Sequence, residues 1–157
     1  MSWQKEIDEL NKRKNLAQEL GGKEKVERQH KANRNTIRER ISLFFDKDSF
    51  QEFGMLSGQS SYKETGELEN FLPANSIIGH GLVNQQSIAF YGDDFTVRGG
   101  AADASIWEKM VAAEKLANEY EIPLVRFIEG TGGGGSVKSL EKQGSTYVPF
   151  NPGWDKV

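Results

Sequence analysis

The chain contains no cysteine, which excludes disulfides, thiolate nucleophiles and cysteine-held zinc or iron–sulfur centres. Only two histidines occur, His30 and His80, too few for a histidine-rich metal centre. No apolar run approaches the roughly 20 residues that span a bilayer. Met1-Ser-Trp-Gln-Lys-Glu6 is charged and lacks the apolar core of a secretory signal, so a cytoplasmic location is expected. What remains is a chain of 157 residues, 36% hydrophobic and 27% charged, with length enough for one domain and a real core.

The net charge of −3 is unevenly distributed. Residues 1–40 hold 11 Lys/Arg against 7 Asp/Glu, and the remainder holds 9 against 16. Acids such as Glu6, Asp8, Glu9, Glu24 and Glu27 are interspersed with the bases, which argues for a solvated helix face and against a nucleic-acid footprint.

Residues 2–20 are expected to form a helix with an apolar stripe of Trp3, Ile7, Leu10, Leu16, Ala17 and Leu20, ended by Gly21-Gly22. Lys23–Asn35 is polar apart from Val26 and reads as a solvated connector. Thr36-Ile-Arg-Glu39 matches a capping box, and Ile37, Ile41, Phe44 and Phe45 mark the buried face of the helix it opens. Asp46–Ser49 reads as a turn before a short extended Phe50–Phe53. Residues 54–75, rich in Gly, Ser, Glu and Asn, read as a mobile surface loop. Strands are expected at Ser76–Val83 and Ser87–Tyr91, joined by a three-residue loop Asn84–Gln86. A helix is expected over about residues 101–120, with Asp103 near its start and Ile106, Met110, Ala113, Leu116 and Tyr120 on one face. The order of elements gives an α/β chain. Ser136–Lys142 has the pattern of a helix start, but Gly144, Pro149 and Pro152 preclude a long helix there. No closing element follows, which suggests a piece of a longer domain.

The densest signal is Pro123-Leu-Val-Arg-Phe-Ile-Glu129, a strand pattern running into Gly130-Thr-Gly-Gly-Gly-Gly135. Backbone amides left bare at the end of a strand suit a phosphate or a developing oxyanion. Gly130-x-Gly132-x-x-Gly135 formally satisfies a dinucleotide fingerprint, but a run of glycines matches it almost automatically. The acid expected about 20 residues on would be Asp155, which follows Pro149-Phe-Asn-Pro-Gly-Trp and ends no strand. An ATPase phosphate loop fails as well, because Val137 precedes Lys138-Ser139 where a glycine is needed. The oxyanion reading and a plain glycine hinge remain.

Asn35-Thr-Ile-Arg-Glu-Arg-Ile-Ser-Leu-Phe-Phe-Asp46 and Ser49-Phe-Gln-Glu-Phe53, taken together, resemble the opening of biotin-dependent acyl-CoA carboxylase carboxyltransferase (beta) subunits. The likeness continues in order through Ile78-Gly-His-Gly81, Ile88-Ala-Phe90 and Asp94-Phe-Thr-Val-Arg-Gly-Gly100, and covers about residues 35–135. It implies a crotonase-like α/β superhelix of ββα units. Residues 1–35 would be an N-terminal helix and connector, and 36–157 part of the first carboxyltransferase domain. The implied chemistry moves CO₂ from carboxybiotin, on a separate carrier protein, to the carbon α to a coenzyme A thioester.

The resemblance further implies an oxyanion hole of paired glycine amides. Glu129 aligns with the aspartate of the family's Asp-Ser-Gly-Gly, which places the pair at Thr131/Gly132, or at Gly132/Gly133 after a one-residue slip. Arg98, Gly99 and Gly100 would lie on the pantetheine path, and Arg34, Arg38 and Arg40 are candidate partners of the coenzyme A phosphates. His80 and Trp154 read as structural. Implied partners are an acyl-CoA, a biotin carrier protein, a biotin carboxylase subunit and further copies of the subunit, with no nucleic acid. The piece is expected to be inactive alone. A sodium-pumping acyl-CoA decarboxylase subunit and a noncatalytic acyl-CoA-binding or assembly module are the alternatives.

Overall fold

A computed structural model describes residues 2–101, 106–130 and Glu141. Three helices come first: α1 (Gln4–Gln18), α2 (Lys23–Lys31) and α3 (Ile37–Phe44). Five strands follow: β1 (Gln51–Phe53), β2 (Gly58–Tyr62), β3 (Leu68–Pro73), β4 (Ser76–Val83) and β5 (Gln86–Asp93). A 3₁₀ turn at Arg98–Gly100, α4 (Trp107–Glu119) and β6 (Leu124–Phe127) complete the described elements. The main sheet has the order β1-β4-β5-β6, with β6 alone parallel to its neighbour. A parallel neighbour requires a crossover, and α4 supplies it. The β4-β5-α4 unit is therefore a ββα repeat delivering β6 alongside β5.

Period-two alternation explains both faces of this sheet. Ile77 and Phe90 point to one side, into a cluster with Leu20, Ile37, Ile41, Phe45 and Ile88. Ile78 and Tyr91 point to the other, against Ala113 and Met110 of α4. Phe90 is fully buried and forms edge contacts with Phe45, Phe50 and Phe127 at centroid distances of 5.5, 5.7 and 5.1 Å. A Cβ on Gly81 would lie 2.6 Å from the Phe45 ring, so that position admits the aromatic cluster only as glycine.

The capping box is formed as expected. Thr36 Oγ1 accepts from the Glu39 N–H, and Glu39 Oε2 accepts from the Thr36 N–H at 2.7 Å. Glu39 is thereby held below the usual carboxylate range, first by that backbone N–H and then by His30. The first helix, the turn at Asp46 and the extended Phe50–Phe53 also fall where the sequence places them.

Five expectations need correction, one being the helix expected over about 101–120, which is described only from Trp107 to Glu119 with Ala101 and Ile106 extended. The connector at 23–35 contains α2, because Lys, Glu, Arg and Gln favour helix without any wide apolar stripe. Glu24 in its first turn and Arg28, His30 and Lys31 in its last turn suit the helix dipole. The loop at 54–75 contains the β2–β3 hairpin, anchored by buried Leu68 and Phe71. The hairpin is braced by α1: Lys12 Nζ donates to the Leu68 carbonyl, and Arg13 donates to Glu9 Oε1 at 2.7 Å and to the Tyr62 hydroxyl. The β4–β5 loop has two residues, Asn84 and Gln85, both at positive φ (49° and 67°). Asp46 accepts both of their N–H groups at 3.0 and 2.8 Å, which holds that strained turn. The α1 stripe is only half used, with Ala17 and Leu20 buried and Trp3, Ile7 and Leu10 exposed.

Candidate functional site

The glycine-rich turn after β5 and the exit of β6 meet in space. Hydrogen bonds fix the approach to the turn. Asp94 is 1% exposed, and its Oδ1 accepts from the Thr96 N–H at 2.9 Å and the Thr96 hydroxyl at 2.6 Å. Thr96 Oγ1 in turn accepts the Gly21 N–H at 2.8 Å, which ties the α1–α2 corner to the turn. Buried Asn75 accepts the Asp94 N–H through its carbonyl at 2.9 Å and donates from Nδ2 to the Ala101 carbonyl at 2.7 Å. The turn is thus clamped before and after Arg98-Gly99-Gly100.

All three turn residues have positive φ: 54°, 64° and 68°. For Arg98 this costs conformational energy that the two glycines largely avoid. A Cβ on Gly100 would stand 2.6 Å from the Glu129 carbonyl oxygen and 3.1 Å from the Gly130 Cα. Backbone therefore packs on backbone where the two motifs touch. This places Arg98, Gly99 and Gly100 beside the start of the glycine run. Thr131, Gly132 and Gly133, the expected oxyanion-hole residues, lie outside the described residues, as does Trp154.

Glu129 is held from several directions. Its N–H donates to Asp93 Oδ2 at 3.0 Å. Its carboxylate takes Arg40 Nη2 at 2.9 Å and Arg34 Nη1 at 3.7 Å. The two arginines differ in surroundings: the Arg40 side chain is 29% exposed and that of Arg34 is 54% exposed. Arg38, two residues from Arg40 on α3, points elsewhere and pairs with Glu52 at 2.8 Å. It also donates to the Ala17 carbonyl at 3.4 Å, pinning the end of α1. The three arginines grouped by sequence as phosphate partners are thus separated: two meet Glu129, and one braces the helical layer on β1. His80 stacks on Phe53 at 5.4 Å within the sheet, in keeping with a structural part.

Two further residues carry no motif, Asp93 at the site and Lys109 on α4, whereas Asp94 opens the Asp94–Gly100 segment. Asp93 anchors Glu129, and burial, opposed by the Thr96 bonds, raises the Asp94 carboxyl above its ordinary value. Lys109 of α4 is 5% exposed and donates from Nζ to the Ser76 carbonyl. Burial brings its ammonium down to about 8, with Glu52 opposing the shift and Arg38 adding to it. The signals for these residues are positional: a lysine on the inner face of an amphipathic helix and adjacent aspartates at a strand end. No group of three or more His, Cys, Asp or Glu suited to a metal ion occurs among the described residues.

The β4-β5-α4-β6 arrangement is that of a crotonase-like α/β fold. Residues 28–148 match the carboxyl transferase domain family, and the chain belongs to that family. Among its relatives, the carboxyltransferase subunit of propionyl-CoA carboxylase from Haloferax mediterranei is 32% identical over 133 residues, covering 84% of this chain and 26% of that protein. Methylmalonyl-CoA decarboxylase subunit alpha from Propionigenium modestum is 31% identical over 122 residues, covering 77% and 23%. In fold, the chain is similar to the transcarboxylase 12S structure with methylmalonyl-coenzyme A and methylmalonic acid bound. That likeness has a TM-score of 0.69 at 24% identity, covering 84% of this chain and 26% of that one. The chain thus spans about a quarter of the length of these relatives.

Proposed function

We infer that this chain forms the acyl-CoA side of a biotin-dependent carboxyltransferase, the enzyme class that moves CO₂ from carboxybiotin to the α-carbon of an acyl-CoA. The observation that carries the reading is the backbone contact between the Arg98–Gly100 turn and the Glu129–Gly130 strand exit. Two segments that the family likeness associates with one substrate arrive at one place. Backbone amides of Thr131, Gly132 and Gly133 are the oxyanion-hole candidates, holding the thioester oxygen as charge develops on it. Arg98, Gly99 and Gly100 are assigned to the pantetheine path. Arg34, the more exposed partner of Glu129 at the longer distance, is the best placed of the three arginines to turn toward a coenzyme A phosphate. Arg38 and Arg40 are secondary candidates, since each already has a closer carboxylate partner.

The donors this reading assigns to an acyl-CoA thioester are backbone amides of the glycine run and an arginine guanidinium. Biotin belongs to a separate carrier protein in this reading, and when present would supply the CO₂ and the base for the α-proton. The part played by this chain is to bind the thioester, fix its carbonyl and leave the α-carbon open to the donor. Its partners are therefore an acyl-CoA, a biotin carrier, a biotin carboxylase subunit and further copies of the subunit, in the cytoplasm. This chain alone is expected to bind without turnover. The Propionigenium modestum relative favours a second direction for the same chemistry, decarboxylation of a carboxyacyl-CoA.

Calorimetry with coenzyme A and propionyl-CoA tests the site. Saturable binding by the folded chain, lost in Gly132→Val, supports it; a folded chain that takes up neither ligand overturns it. Coding sequence downstream for a second crotonase-like domain would separate a portion of a two-domain enzyme from a free-standing binding module.

A further inference from the structure

The first helix carries an apolar face that its own fold does not use. Trp3, Ile7 and Leu10 are 71%, 47% and 39% exposed, although an amphipathic helix ordinarily turns such residues inward. Other positions attach α1 to the molecule. Ala17 and the following Leu20 are buried, Lys12 donates to the Leu68 carbonyl, and Arg13 donates to the Ser60 and Tyr62 hydroxyls of the β2–β3 hairpin. At 3.6 residues per turn, the exposed stripe lies roughly a quarter turn round the helix from that attached side. All four anchors also follow Leu10 in sequence, so the first half of α1 stands clear of the molecule.

The spacing of the stripe selects what fits it. Positions 3, 7, 10 and 14 follow the alternating four-and-three steps of a coiled-coil seam, and the fourth is Lys14. Lys14 is exposed and has no ion-pair partner among the described residues. Two copies of this seam can meet in two orientations. In parallel, Lys14 would face Lys14 of the second copy, bringing two like charges together in an apolar contact. The two attached bodies would also be pressed together at one end of the helix pair.

The antiparallel arrangement removes both conflicts. With the centre between Asp8 and Glu9, Ile7 meets Leu10 of the second copy, and Lys14 meets Trp3, an ammonium against an indole face. On the flank toward the hairpin, Glu6 faces Arg13 of the second copy, which Glu9 already holds at 2.7 Å. On the open flank, Gln4 faces Asn11. Because each body hangs from the second half of its helix, the two bodies fall at opposite ends of the pair. The seam is therefore complementary to itself in one orientation only. It is also short, about four layers of side chains, which suits a reversible contact more than a permanent one.

We propose that α1 is a self-association helix, pairing antiparallel with α1 of a second copy of this chain through Trp3, Ile7, Leu10 and Lys14.

Sedimentation of the full chain from micromolar to millimolar concentration tests the association. A reversible monomer–dimer equilibrium is expected, weakened at least tenfold by Ile7→Glu and by Leu10→Glu. Leu43→Glu is the control, since Leu43 of α3 is 75% exposed and lies outside the seam; its association should match the parent. Thiol cross-linking reads the orientation, because the chain has no cysteine of its own. A mixture of Gln4→Cys and Asn11→Cys chains should give a cross-linked heterodimer with a short bis-thiol reagent, and each variant alone should give none. A chain that stays monomeric throughout would overturn the proposal, as would a dimer that Ile7→Glu and Leu10→Glu leave intact. Equal loss in Leu43→Glu, or cross-linking of either cysteine variant to itself alone, would overturn it as well.

Discussion

Gly100→Ala is the sharpest perturbation of the contact between the two glycine motifs. Two effects should add. Gly100 has a φ of 68°, and holding alanine there costs ~1–2 kcal/mol. The new methyl carbon would also begin 2.6 Å from the Glu129 carbonyl oxygen, whereas carbon and oxygen rest comfortably only beyond about 3.2 Å. The Glu129 peptide must therefore retreat by roughly half an ångström, stretching its 3.0 Å bond to Asp93. Losing a hydrogen bond to a charged group costs about 1.5–3 kcal/mol, so the total is about 2.5–5 kcal/mol if the turn cannot rebuild. Gly66→Ala supplies the control: Gly66 has a φ of 79°, but a Cβ there would meet nothing within 4 Å. That variant should carry the backbone cost alone. Thermal unfolding of both variants, with calorimetric binding of coenzyme A, measures the difference. Gly100→Ala is expected to lower stability by at least ~1.5 kcal/mol more than Gly66→Ala, and to weaken coenzyme A while Gly66→Ala does not. Equal destabilisation with unchanged coenzyme A affinity would refute the contact between the turn and the strand exit.

Phe90→Ala should destabilise the chain by ~3–5 kcal/mol in a denaturant titration, because the fully buried ring is shared by Phe44, Phe45, Phe50 and Phe127. Thr36→Ala removes the cap of α3 and should cost ~0.5–2 kcal/mol, read in the same titration. The Lys109 ammonium titrates at about 8 in the fold against 10.5 in an unfolded chain. Between those values the unfolded chain binds the extra proton, so stability should rise as pH increases from about 8 to 10.5, by ~3 kcal/mol at most. Lys109→Met should remove that rise. A slope unchanged in the variant would show that Lys109 does not titrate in this range.

The core was legible in the sequence where one physical signal dominated. Alternation in Ile77, Ile78, Phe90 and Tyr91 placed the two faces of the sheet, and the capping residues Thr36 and Glu39 placed the start of α3. The β2–β3 hairpin was not legible, because its apolar anchors are only Leu68 and Phe71 and the remainder is polar surface braced by α1. The α2 helix was hidden for a related reason: propensity makes it helical, but Val26 and buried Gln29 form no stripe. At the site, the motif residues Arg98, Gly99 and Gly100 were legible, and their meeting with Glu129 was not. Such a contact spans about thirty residues of chain and depends on the α4 crossover. The same crossover separates Arg38 from Arg40 in their partners, a distinction that a spacing of two along a short helix only hints at.

Whether the Arg98–Gly100 turn and the β6 exit form one acyl-CoA site is tested most directly by a two-dimensional NMR titration of the isotope-labelled full chain with coenzyme A. Saturable shifts concentrated at Gly99, Gly100, Glu129 and Gly130, with the β2–β3 hairpin amides unmoved, are the expected result. Shifts centred instead on the groove of about 560 Å³ beside Ser42, Asp46, Lys47 and Asp48, or no shifts at saturating ligand, would contradict it.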